Sequence, residues 1–171
     1  MKLIRTLLFA ALNLGVASVY AATTQTVTFT VTVPAVLELT TTSNTVGVTL
    51  TPSDYASSDA ILTQALAAHQ LAVKSNRAWV VSAKSNAASF AFTPAITGDT
   101  RTKPSTDLSV RKASGTYQSL TTTNFTLATG SAGGVSKPGN TFAVDYQIAT
   151  DINLDPPGAY ALDVIYTLTT P

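Results

Sequence analysis

Phe142-Ala143-Val144-Asp145-Tyr146-Gln147-Ile148, followed after a turn by Tyr160-Ala161-Leu162-Asp163-Val164-Ile165-Tyr166-Thr167-Leu168, decides the fold class. In the first run Phe142, Val144, Tyr146 and Ile148 share one parity, while Asp145 and Gln147 fall between them. In the second, Tyr160, Leu162, Val164, Tyr166 and Leu168 do the same. A period of two sends alternate side chains to opposite faces of an extended chain. Each run therefore predicts a strand with one face in a core and the other in water. Pro157-Gly158 between them is turn chemistry.

The same pattern extends upstream. Leu71 and Val73 lead into a turn at Ser75-Asn76-Arg77, and Trp79, Val81 and Ala83 open the next run. Phe90 and Phe92 precede Pro94, Leu108 and Val110 form another short run, and Phe125 and Leu127 precede a Gly-rich loop at Gly130–Gly139. Nearer the start, Val46, Val48 and Leu50 predict a strand before Thr51-Pro52-Ser53-Asp54, and Ala35, Leu37 and Leu39 predict one after Pro34. Ser57–Ala68 is expected to form one or two helical turns capped by Ser58 or Asp59, with Ile61, Ala65 and Leu66 on one side, although the same residues also fit an irregular strand. About eight to ten short strands separated by turn signals predict an all-β fold, an Ig-like antiparallel β-sandwich with Trp79 in its core. A strand running unbroken over Phe142–Leu154 would extend about 43 Å, so a bend is expected near Thr150.

The first 21 residues read as an address. Lys2 and Arg5 precede the apolar run Thr6–Val19, and Val19-Tyr20-Ala21 places small residues at a cleavage site. The run falls short of a spanning helix, so residues 1–21 are expected to be a cleaved signal peptide and 22–171 a single exported domain without a membrane span. Lys2 and Arg5 account for 2 of the chain's 10 basic groups, which leaves 8 against 9 acidic ones, a formal −1. That balance supplies no basic stripe for nucleic acid. The absence of Cys excludes disulfides, thiolate metal sites and Cys nucleophiles. With one His and one Glu, and no Gly-x-Ser-x-Gly, neither a Ser-His-Asp centre nor a glycosidase carboxylate pair is indicated. No catalytic residue and no cofactor is expected.

Three local patterns carry functional expectations. Val27, Phe29, Val31 and Val33 alternate strictly with Thr26, Thr28, Thr30 and Thr32, and Pro34 follows as a hinge. A terminal strand of this kind belongs either to its own sandwich or to the sheet edge of a neighbouring copy, where main-chain bonds give affinity and alternate side chains give register. Asp151-Ile152-Asn153-Leu154-Asp155 matches the opening of a calcium loop, with Asp151, Asn153 and Asp155 as candidate oxygen ligands. Pro156 stands where that loop takes Gly, and Leu162 where it takes Glu. The same residues also fit the wet face of a strand. A third pattern, Trp79 with Tyr55 and Tyr117, would make a sugar-stacking platform if exposed.

Leu71-Ala72-Val73-Lys74-Ser75-Asn76-Arg77-Ala78-Trp79-Val80-Val81 resembles the strand-turn-strand of bacterial secreted surface domains. The closing stretch from Pro157-Gly158-Ala159-Tyr160 to Tyr166-Thr167-Leu168 resembles the last strand of WxL-type cell-surface domains, and is similar to that of spore-coat-U and fimbrial-type subunits. The two WxL-like positions read Trp79-Val80-Val81 and Tyr166-Thr167-Leu168 here. These resemblances imply an exported, non-catalytic β-sandwich at the bacterial surface or in the periplasm, structural or adhesive, assembling with itself or with other envelope proteins. The alternative is a glycan- or cell-wall-binding module.

Overall fold

A computed structural model describes residues 24–51, 61–151 and 153–171, with the backbone alone described over 61–68. The chain divides after Val33 into two units. The unit from Pro34 onward contains ten strands among the described residues: β1 (Leu37–Thr41), β2 (Ile61–Ser75), β3 (Trp79–Ser85), β4 (Ala91–Pro94), β5 (Leu108–Lys112), β6 (Gln118–Ser119), β7 (Phe125–Gly130), β8 (Thr141–Asp151), β9 (Gly158–Ala161) and β10 (Val164–Thr169). One 3-10 turn, Ser105–Asp107, precedes β5. Every strand pairing is antiparallel.

One sheet has the order β1-β2-β8-β5-β6 and the other β10-β3-β7, with β4-β9 as a separate two-stranded ribbon. Alternation dictates which side chains meet between the sheets. β2 contributes Leu71 and Val73, β8 contributes Phe142, Val144 and Tyr146, and β3 contributes Trp79, Val81 and Ala83. Val110, Leu120 and Ala128 complete the buried cluster. This is the all-β antiparallel sandwich that the period-two pattern predicts. β8 ends at Asp151, close to the bend expected at Thr150.

Trp79 anchors the core. Its side chain is fully buried and stacks on Phe142 with ring centroids 6.2 Å apart. The indole N–H donates to Asn140 Oδ1 at 3.3 Å, and Asn140 Nδ2 in turn donates to the carbonyls of Gly133 and Gly134 at 3.1 Å each. Burying an indole is favourable only when its one polar atom finds an acceptor. The Gly-rich loop supplies that acceptor through Asn140. Gly130 is required by the same packing, because a Cβ there would enter the Trp79 ring.

Three expectations are corrected. Residues 25–33 form no strand: Val27, Phe29, Val31 and Val33 lie outside every sheet, between 64% and 89% exposed. Alternation records what a segment buries once it is paired, not whether a partner edge is at hand. Residues 46–50 are also unpaired. Gly47 weakens strand propensity there, and upstream hydroxyls take backbone carbonyls, Thr41 Oγ1 donating to Ser43 O at 2.8 Å and Ser43 Oγ to Thr45 O at 2.7 Å. Such local bonds compete with a ladder. Finally, no helix forms over 61–68. β2 begins at Ile61 and pairs with β8 as far as Ala72, with a register shift between Ala67 and His69 that accounts for the broken periodicity. Residues 52–60 and the expected signal peptide, 1–21, lie outside the described residues.

Candidate functional site

The sandwich is unequal, five strands against three, and its edge strands β1 and β10 lie against each other along one flank. Between the sheets on that side is a cavity of about 620 Å³. Leu39 of β1, Leu71 of β2, Ile148 of β8 and Val164 of β10 line it with apolar surface, and the unpaired segment at Ser43–Val48 also contributes to its wall. β1 pairs only with β2, and β10 only with β3, among the described residues. Each therefore presents one unpaired main-chain edge beside a hollow of mixed apolar and polar lining, and an open edge is the feature that invites a further strand.

His69 lies in the same wall, 8% exposed, with the Tyr146 and Tyr166 rings each 5.7 Å from its own. The two tyrosine hydroxyls share a hydrogen bond of 2.6 Å. Among the described residues, His69 Nδ1 has no hydrogen-bond partner. Burial lowers the His69 pKa below its ordinary 6.5. Burial likewise raises both tyrosines, and the neighbouring Tyr146 adds to the rise at Tyr166.

A histidine whose folded pKa is depressed stays neutral while the unfolded chain takes up a proton. Stability is therefore expected to fall as the pH drops below about 6.5 and to level off once the folded value is passed. Urea midpoints measured from neutral to mildly acid pH should decline for the wild-type chain. The decline should be shallower for His69→Leu, and equal slopes would remove His69 as its source.

Two of the three candidate calcium ligands, Asp151 and Asp155, have side chains engaged within the protein. Asp151 Oδ1 accepts the Asn153 N–H at 2.8 Å, closing a local turn, and the Asp151 carbonyl accepts from the Leu154 and Asp155 amides. Asp155 instead faces Lys103, whose Nζ lies 2.5 Å from its Oδ2. Lys103 is 2% exposed and also reaches Asp107 Oδ2 at 2.9 Å and the Ala149 carbonyl at 2.6 Å. Among the described residues, no group of three or more His, Asp or Glu side chains is placed to hold a metal ion. The cation that the Asp155 and Asp107 carboxylates meet is the ammonium of Lys103.

Sequence reasoning missed Lys103. It sits in a polar loop between Thr102 and Pro104 with no periodic pattern, and its partner is 52 residues away. Of the aromatic platform, Trp79 is buried, Tyr117 is half-buried under the Arg111 guanidinium at 4.2 Å, and Tyr55 lies outside the described residues. No helix among the described residues is long and apolar enough to cross a membrane. No protein-family model matches the chain, and no curated protein matches its sequence.

Proposed function

We propose that this chain is a non-catalytic, exported surface protein of the bacterial envelope, structural or adhesive, that assembles with copies of itself by strand addition. The observation that carries the reading is the alternating segment at 25–33, whose Val27, Phe29, Val31 and Val33 are exposed and belong to no sheet. An apolar face of that size left in water is unfavourable at roughly 25 cal/mol per Å², which favours any arrangement that buries it.

The acceptor in this reading is the flank between β1 and β10 of a second copy. Nine extended residues reach about 30 Å, more than the six residues of β10 require. Main-chain bonds to an unpaired edge would supply affinity, and the four apolar side chains at every second position would fill the hollow lined by Leu39, Leu71, Ile148 and Val164. Threonines at 26, 28, 30 and 32 would face water. Pro34 suits the junction, since it has no N–H to offer a ladder. Export rests on the reading of residues 1–21 as a signal peptide. The glycan-binding alternative loses Trp79, its largest aromatic, to the core.

The test compares residues 22–171 with 34–171 by light scattering and negative-stain imaging. Oligomers or filaments are expected for the longer chain and none for the shorter. A synthetic peptide of residues 22–34 should raise the thermal midpoint of the shorter chain, and Phe29→Asp in that peptide should abolish the rise. A monomeric longer chain and an inert peptide would overturn the reading.

A further inference from the structure

We propose that Lys103 and Asp155 become joined by an amide bond that the folded protein makes for itself, with Asp107 carrying the proton. The argument begins from burial. Lys103 is 2% exposed and the Asp155 side chain 8%, so an amine and a carboxyl are held together away from water. Nζ can donate three hydrogen bonds, and three oxygens lie within reach of it. Asp107 Oδ2 at 2.9 Å and the Ala149 carbonyl at 2.6 Å take two of them, leaving the third on the Asp155 carboxyl at 2.5 Å. The three acceptors hold the amine beside the Asp155 carboxyl, and holding two reactants together is what proximity contributes to a bond-forming step.

The two carboxylates differ in a way that assigns their roles. Asp155 is the nearer and more deeply buried, and its Oδ2 also accepts the Asp151 N–H at 2.9 Å. That amide holds Oδ2 in place, the oxygen that the ammonium protonates and that later departs as water. Asp107 lies in the 3-10 turn with its side chain 30% exposed, open enough to exchange protons with solvent while touching Nζ.

The step balances without any further reactant. A proton passes from the ammonium to the Asp155 carboxylate, giving an amine and a carboxylic acid. The Nζ lone pair forms a bond to Cγ of Asp155. Asp107 takes the proton that Nζ sheds and returns it to the departing hydroxyl, the C–O bond breaks, and one water leaves. Nothing is oxidised or reduced. The product ties the end of β8 to the segment before β5 across 52 residues of chain, in a protein whose lack of cysteine rules out a disulfide. Its effect on the unfolded chain is that of any covalent loop closure.

Intact mass and a tryptic digest of the purified full chain, both in denaturant, test this. Cleavage after Arg101, Arg111 and Lys112 releases Lys103 and Asp155 on different peptides unless they are bonded. The wild-type chain is expected one water lighter than its sequence from the observed N-terminus, with the two peptides recovered as one branched species. Asp107→Ala keeps both bonding partners and is expected at full mass with separate peptides. A wild-type chain at full mass, or a water loss that maps elsewhere, would overturn the bond. A bond that persists in Asp107→Ala would overturn the proton carrier.

Discussion

Replacing Trp79 with Ala should cost about 3–5 kcal/mol of folding free energy, a value typical of a fully buried large aromatic. Against the roughly 5–15 kcal/mol that holds a domain together, that is enough to bring unfolding near working temperature. Three losses combine. The indole leaves a void between β3 and β8 where it stacked on Phe142. Asn140 Oδ1 loses its donor in a site 1% exposed. The Gly-rich loop that Asn140 pins through Gly133 and Gly134 loses the reason for its position. Trp79→Phe should recover much of the packing but not the hydrogen bond, and so fall between the two. Urea denaturation of all three chains checks the order. The result also bears on function, because a sugar-stacking Trp would give the opposite outcome, lost glycan binding with stability kept. Equal stability of Trp79→Ala and wild type would mean that the indole is not the core of this sandwich.

The elements legible in the sequence are those whose partners lie within the same sandwich. β3, β8 and β10 were readable because each carries large side chains at every second position, and their hydrogen-bond partners are supplied by β7, β2, β5 and β3 of the same unit. The segment at 25–33 has an equally clean pattern and forms no strand, which shows that alternation reports a latent face and leaves open what covers it. At 46–50 the pattern failed for a local reason, the hydroxyl-to-carbonyl bonds of Thr41 and Ser43 just upstream. At 61–68 the shift between Ala67 and His69 hid a strand behind broken parity.

The candidate site was legible only in half. Acidic residues at 151, 153 and 155 pointed to a cation, but the ammonium beside Asp155 comes from Lys103, and no local spacing links positions that far apart. The hollow between β1 and β10 could not be read at all. It depends on strand order, which pairs β10 with β3 and leaves β1 at the end of the other sheet. Periodicity identifies faces and is silent on neighbours.

Lys103→Met should be the most destabilising single change outside the hydrophobic core, by about 3–5 kcal/mol, because it leaves a buried carboxylate with no cation. Asp155 would retain only the Asp151 N–H, and the Ala149 carbonyl would lose its donor. Asp155→Ala should cost less, since Lys103 would keep Asp107 and Ala149. Asp107→Ala should cost least, as that side chain is 30% exposed and a partly solvated pair contributes little. The decisive member of the series is the double variant Lys103→Met with Asp155→Leu. Removing both charges together and filling the space with apolar atoms is often neutral or better than the original pair, so the double variant should recover most of the unpaired-charge cost of Lys103→Met. The loop closure of the amide proposed above is lost alike in both variants, so it does not enter the difference between them. Chemical denaturation of the four variants beside wild type measures it. A double variant as unstable as Lys103→Met would mean that the loss came from distorted packing around the end of β8, and that the charge at Asp155 was never the issue.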